Sequence, residues 1–496
     1  MGCGIVAVRV GGVCRTMSEL GSTVAGLRPF RFALPAAPIA HTRNEIAGIA
    51  ALTPILLSIA AWNGFPIIFY DTGAYMLQGL GHLFIAERSP IYSAFLAGAG
   101  GATSLWLVAA AQCLITAFVM VEFARAIRPQ MALWALLALG AVLCLLTGLP
   151  WYAGQIEPDC FVAVAPLAIY LLAFYGGELG PLRKALLVIA AAVAIACHSS
   201  HVALAAGLLV VLTALRFAPV AWIEANALPR PRLALSVASF VLAILSIYTA
   251  NYIFTQHVFF SRSGMVFLEA RLMEDDLIAP VLDTDFPKAG YAICPFKDRL
   301  PAHADSWLWM GGITSPFHKS GGFEKRGKES ALLVRESLER YPLENAIVAL
   351  QDAALQFFWF QTGDGIVPQE WVLNREFKMA IPQQLSAYDK AYQQEGAIWF
   401  LPVNLVHVPV AILSLAALYL LLRNSVRRRD WRGSVLPAFI LVALIGNAFV
   451  CGVFSGPHGR YQSRIMWLPT FGVALIAWPR IESEAMRRFG TKPPTA

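Results

Sequence analysis

The sequence predicts an all-α polytopic membrane protein with about ten transmembrane helices, a juxtamembrane or re-entrant helix, and a mainly helical periplasmic insertion. Three observations lead there. Of 496 residues, 57% are hydrophobic and 14% charged, with mean hydropathy +0.60, more apolar surface than a soluble domain of ordinary proportions buries. Apolar stretches long enough for roughly 30 Å of hydrocarbon recur along the chain. Between them, arginine-rich loops alternate with loops almost free of cations. The net charge of +7 and the pI of about 9.0 therefore report topology and argue against a nucleic-acid partner.

Residues 1–45 carry Arg9, Arg15, Arg28, Arg31 and Arg43, little continuous apolar sequence and no signal-peptide cleavage pattern. They are expected to be a disordered cytoplasmic tail, with Met17 as an alternative start. The opening MGCGIV lacks the Ser or Thr of a myristoylation signal. Spans are expected near 46–62, 104–124, 131–149, 159–176, 184–198, 200–216, 232–254, 402–422, 434–454 and 464–480. The run from Pro181 to Arg216 is too long for one span and tight for two, so it reads as a hairpin with the polar HSSH at its tip. The segment PIYSAFLAGAGG, from Pro90, is short for a span and reads as the juxtamembrane or re-entrant helix.

Counting that segment as non-spanning puts six cationic stretches on one side. These are the amino-terminal tail, Arg125 with Arg128, Arg183 with Lys184, Arg216–Arg232, Arg423–Arg432 and Arg480–Lys492. Together they hold 21 of the 38 Lys and Arg residues, and the opposite short loops hold three: Arg88, Arg460 and Arg464. The positive-inside rule makes the first side cytoplasmic, with both termini there, in a bacterial inner membrane. This divides the chain into a tail (1–45), an amino-terminal transmembrane module (46–254), a periplasmic domain (255–401), a carboxy-terminal transmembrane module (402–480) and a cytoplasmic tail (481–496). The insertion holds 14 Lys or Arg and 19 Asp or Glu. Leu332, Leu333, Leu338, Ile347 and Leu350 stand near helical spacing within it, whereas SPFHKSGGFEKRGKES reads as a mobile loop.

The eight cysteines are scattered, with no C-x-x-C pair, so neither a zinc site nor a disulfide framework is expected. The residues able to carry chemistry gather in the outer loops. Asp71 follows the first span in FYDTGAY, where a carboxylate could orient or deprotonate a nucleophile, bind a divalent metal, or cap a helix through the amides of Gly73 or Ala74. Glu157 and Asp159 stand at the mouth of a later span; they could share acid and base roles or bind a metal with Asp71, or form a solvated helix start. His198 and His201 flank the hairpin tip, either as a satisfied polar tip or as hydrogen-bonding groups for a phosphate or sugar hydroxyl. Their spacing departs from the usual i, i+4 metal-binding pair. His458, Arg460, Tyr461 and Arg464 crowd into the last outer loop, where guanidinium groups can hold a phosphate, although Arg464 could instead snorkel to headgroups. Arg88 joins them as a further cation on this side.

These pieces, in this order, resemble the GT-C superfamily of polytopic glycosyltransferases, which includes protein O-mannosyltransferases and bacterial lipid A aminoarabinose transferases. FYDTGAY and ERSPIYSAFL stand where that superfamily has an acidic residue after the first span and a Pro-containing motif at the second hydrophobic segment. GRYQSRIMWLP resembles its basic or aromatic entry to a late span. Thr72 follows Asp71 where a paired acid is familiar, and Ser89-Pro90 replaces a double proline. The stretch from FLEARLMEDDL to DSWLWM resembles bacterial multispanning proteins of unassigned activity.

The resemblance implies a polyprenyl phosphate sugar as donor, Asp71 as the catalytic or metal-associated carboxylate, Glu157 or Asp159 as a second acid, and Arg460 as a donor-phosphate ligand. The acceptor is left open among glycan, lipid and protein, and a divalent metal is left open as cofactor. The expected function is inverting glycosyl transfer at the outer face. The alternatives are a transporter or flippase of a lipid-linked or anionic substrate, and a non-catalytic membrane assembly protein. Near-absence of charge from the central spans, apart from Glu122 near the cytoplasmic end beside Arg125, favours interfacial catalysis over transport.

Overall fold

The computed structural model describes residues 43–219, 229–285 and 289–489, with side chains at 370–372 and 479–489 left aside. The expected tail ahead of residue 43 lies outside the described residues. So does most of the loop between Arg216 and Arg232.

Among the described residues, seven helices are long and apolar enough to cross a membrane, spanning Asn44–Asn63, Leu105–Ile127, Pro158–Tyr175, Ser199–Phe217, Ala234–Thr255, Phe400–Arg427 and Trp431–Ser455. In chain order we label α1 (Arg43–Leu56), which continues into Ser58–Asn63, then α2 (Thr72–Leu80), α3 (Pro90–Gly98), α4 (Leu105–Ile127) and α5 (Leu133–Leu146). Next come α6 (Val164–Tyr170), α7 (Pro181–Ala196), α8 (Ser199–Phe217) and α9 (Ala234–Thr255). Three other spans expected from the sequence coincide with α5, α7 and a last helix from Trp467. At 14 and 16 residues, α5 and α7 extend only about 21–24 Å, short of the hydrocarbon thickness. The last helix is long, but its second half is charged.

The span at Pro158–Tyr175 is the hub. Its 18-residue window is 89% buried, so other helices and not lipid surround it. It opens as a 3-10 turn at Pro158–Phe161, becomes α6, and ends as a π turn at Leu171–Tyr175. α4 and α7 pack against α6, α1 lies on α4 and α5, and α7 pairs with α8 and α9. The hairpin expected around HSSH is present, with Cys197 and His198 between α7 and α8. The segment from Pro90 forms the nine-residue α3, started by Ser89, whose hydroxyl accepts from the Ile91 amide. Glu122 is paired with Arg183, at 3.8 Å, which also meets Glu45; the Arg125 guanidinium is turned to the carbonyls of Pro129 and Met131.

The segment at 255–401 is helical and divides in two. The first part contains α10 (Gly264–Glu274), α11 (Gly327–Arg340) and α12 (Pro342–Phe358). Residues of α10 and α11 share a separate apolar core with Trp307, Phe317 and Phe323. Here the expected mobile loop is corrected: SPFHKSGGFEKRGKES forms short helices at Pro316–Lys319 and Gly322–Lys325 and then α11. Phe317 is buried, and fully buried Arg326 bonds Glu269, so ordering this polar stretch removes aromatic surface from water and closes an ion pair.

The second part has no core of its own. α13 (Glu370–Ala380) packs on α2, and Leu373, Phe377, Ile381 and Tyr388 belong to the main apolar core shared with the long apolar helices. The Gln393 side chain accepts from the Ile68 amide at 3.0 Å and donates to the Ile68 carbonyl at 2.7 Å, fastening this part to the loop after α1. The chain returns through α14 (Phe400–Arg427), α15 (Trp431–Ser455) and α16 (Trp467–Phe489). In α16, Pro479 has no N–H for the carbonyl four residues back. Arg128 donates to the carbonyls of Leu475 and Ile476 at 2.6 and 2.8 Å.

Candidate functional site

A short backbone frame aligns the loop after α1 with the loop before α6. Ile67 and Gln155 form a parallel bridge, with the Ile156 amide donating to the Ile67 carbonyl at 2.9 Å. Thr72 locks it: its hydroxyl donates to the Ile156 carbonyl at 2.9 Å and accepts from the Phe69 amide at 3.0 Å. From α4, Gln112 donates to the Gln155 carbonyl at 2.6 Å and accepts from Tyr92. Asp71 and Glu157 are each one residue from an atom of this frame, which the fully buried Thr72 holds together.

Asp71 immediately precedes α2, but its side chain makes no cap bond. It accepts instead from Arg88 at 2.5 Å and retains 20% exposure. The expected solvated start at Glu157 and Asp159 is corrected, since the two residues are only 2% and 3% exposed. Asp159 pairs with Arg464, whose guanidinium also reaches the Ser200 hydroxyl at 3.3 Å. Arg464 is therefore enclosed at the hub and does not snorkel to headgroups. Glu157 Oε1 and Asp159 Oδ2 have no hydrogen-bond partner. Burial pushes the Glu157 carboxyl well above the ordinary carboxylate range; the negative charges of Asp71 and Asp159 push it further, against Arg460 and Arg88.

Arg460 is the least committed of these arginines. Arg88 and Arg464 each close a tight pair, whereas Arg460 approaches Asp159 only at 4.0 Å and stacks on Phe69 at 4.0 Å and on Tyr461 at 4.8 Å. His198 turns inward and its Nδ1 receives the Ser200 amide at 3.2 Å, which starts α8. His201 bonds the Ala194 carbonyl at 2.8 Å through Nδ1, leaving Nε2 without a partner. His458 points away to the 255–401 segment and meets Asp305 at 3.1 Å. Burial lowers the His458 imidazole, but the bond and charge of Asp305 outweigh it and the net shift is upward; the same bond lowers Asp305.

The structure thus brings Asp71, Arg88, Glu157, Asp159, Arg460, Tyr461 and Arg464 to one end of the bundle, with His198 and His201 along its inner wall. Among the described residues, no group of three or more His, Cys, Asp or Glu side chains has a metal-holding arrangement. The sequence reading missed Asp364. Its carboxylate accepts from the Arg460 amide at 3.1 Å and its charge raises the Tyr70 hydroxyl, after burial. Its signal is the TGDG run: Gly363 and Gly365 have φ of +108° and +72°, and a Cβ at Gly365 would stand 2.0 Å from Phe69. The loop can enter the site only with glycine there. The six described cysteines are all free and buried. The chain matches no known family model, no characterised protein and no solved structure.

Proposed function

We propose that this multi-pass membrane protein is a glycosyltransferase that moves a sugar from a polyprenyl phosphate carrier to an acceptor at the periplasmic face of a bacterial inner membrane. The observation that carries the reading is the enclosure of Asp71, Glu157 and Asp159 with Arg88, Arg460 and Arg464 at one end of an otherwise apolar bundle. Isolated buried charges are costly, and such clusters concentrate at functional sites. In this topology α5, α7 and the apolar part of α16 complete ten crossings, and residues 255–401 face the periplasm.

Arg460 binds the donor phosphate, because its guanidinium holds only a 4.0 Å carboxylate contact and a 3.3 Å bond to the Tyr461 hydroxyl, both weaker than a phosphate would offer. Asp71, the most exposed of the three acids, orients the acceptor hydroxyl and takes its proton. The acceptor oxygen bonds the anomeric carbon from the face opposite the carrier. The bond from that carbon to the phosphate oxygen breaks, and its electron pair leaves on the carrier phosphate beside Arg460. Burial and the neighbouring carboxylates push Glu157 upward, which disfavours a further negative charge beside the departing phosphate. Positioning and leaving-group stabilisation supply most of the rate.

Native mass spectrometry of the purified protein, with and without Arg460→Ala, tests this. A copurifying polyprenyl phosphate lost in the variant supports the donor site. Stable protein that holds no such lipid, even after polyprenyl phosphates are added, moves the assignment to a transporter or an assembly protein.

A further inference from the structure

We propose that α12 is an interfacial membrane helix, lying in the lipid surface beside the outer end of α15 and holding the arginine loop of the site at that depth. The sequence places this segment in a water-facing domain, but one side of it is built for lipid. Leu343, Ile347, Leu350 and Phe358 are between 46% and 72% exposed. With Ala354 they fall within about 80° of one another on the helix. Glu344 and Gln351 stand along one edge of this stripe, giving a long apolar face with a polar margin. A row of large exposed side chains of this extent is a contact surface.

Its position relative to α15 selects lipid as the occupant. The two helices touch where a Cβ at Gly452 would stand 2.6 Å from the Asp352 carbonyl oxygen, in the last turn of that span. One and two turns further into α15, on the same helix face, Phe449 and Ile445 are exposed at 43% and 57%. The apolar surface of α12 is therefore continuous with the side that a membrane span turns to hydrocarbon. Trp359, directly after α12, and Trp399, directly before α14, are also exposed, as aromatic residues at a membrane–water boundary are. An apolar cavity of about 290 Å³ opens where α12 meets α15, between Leu272, Val348, Val453 and Phe454, with room for part of a lipid tail.

The link to the site is direct. Gln356 of α12 donates to the His458 carbonyl and accepts from the His458 amide, both at 2.8 Å. His458 is two residues from Arg460, so docking α12 on lipid fixes the height of that guanidinium. This inference rests on the membrane assignment alone and stands whether or not the protein transfers sugar.

Nitroxide labels on single cysteines of the full chain in phospholipid vesicles test it. Cys3 and Cys14 are replaced by Ser, and the six buried native cysteines remain. Leu350→Cys and Ile347→Cys are compared with Glu344→Cys for collision with oxygen and with a water-soluble nickel chelate. The expected result is an oxygen-to-nickel collision ratio several-fold higher at Leu350 and Ile347 than at Glu344. Nickel access at Leu350 equal to that at Glu344 means a water-facing helix and overturns the proposal. Low access to both reagents means that protein, such as a second copy, covers the stripe, and overturns it equally.

Discussion

Two buried ionic clusters in this protein are built to opposite rules. In the first part of the 255–401 segment, Arg326 and Glu269 are fully enclosed and complete: Arg326 bonds both Glu269 oxygens and reaches Glu329, while Ser330 donates to Glu269. At the end of the bundle, Asp71, Glu157 and Asp159 meet three arginines and remain incomplete. Glu157 Oε1, Asp159 Oδ2, Arg88 Nε and Arg464 Nε have no hydrogen-bond partner. A completed buried pair fixes one conformation and does nothing else. An incomplete one carries a standing desolvation cost, which a ligand that supplies the missing partners would relieve.

The largest expected effect comes from breaking the complete cluster. Glu269→Ala leaves the Arg326 guanidinium buried without its carboxylate and should cost about 3–5 kcal/mol. Thermal unfolding of the detergent-solubilised protein checks this, and a melting curve unchanged from wild type would make the two clusters energetically alike. Asp71→Asn, at the incomplete cluster, keeps an amide oxygen for Arg88 and should shift that curve less than Glu269→Ala does, while lowering the proposed sugar transfer by about 10²–10⁴-fold, the range for a positioned acid–base group. Full transfer by the variant would remove Asp71 from the chemistry.

Glu157 sharpens the contrast through pH. Its folded pKa lies above the unfolded value, so its contribution to stability is complete below about pH 4.3 and is lost as pH rises toward the folded value. Glu157→Gln should therefore flatten the decline of thermal stability with rising pH. An identical pH slope in the variant would assign that decline elsewhere. The His458–Asp305 contact gives a smaller effect. Raised His458 contributes below its ordinary value of about 6.5 and loses that contribution as pH rises through the folded value. Lowered Asp305 contributes above about 3.9 and loses its share as pH falls. The stability difference between wild type and Asp305→Asn should peak between those limits and shrink in alkali, where only the Arg460 and Trp309 contributions to Asp305 remain. A difference independent of pH would show that the pair acts without its charge.

The membrane character of the protein was legible in the sequence, as were the hairpin around HSSH, the short helix from Pro90 and the loops that hold the site residues. These are local properties, written in apolar run length and in the placement of arginine. The frame around Thr72 was not legible, because its two hydrogen bonds join residues 84 positions apart or run backward along an irregular loop. Asp364 was missed because its glycines signal only a turn until Phe69 and Arg460 are seen beside it. The polar run 315–330 was misread as mobile, since Phe317 and Arg326 find their partners on α10 and in the 304–309 helix.

By itself, then, the sequence determined that the chain resides in a membrane, because hydrocarbon selects for uninterrupted apolar helices whatever their neighbours. It also determined where the polar inventory lies along the chain. Only the tertiary structure decided which of those charges are spent on one another, as Asp159 is on Arg464, and which remain available, as Arg460 does. It also decided that the second part of the 255–401 segment shares the main apolar core and that α12 lies against the last turn of α15. Burial and pairing are set by contacts between distant residues, and those contacts exist only once the helices have packed.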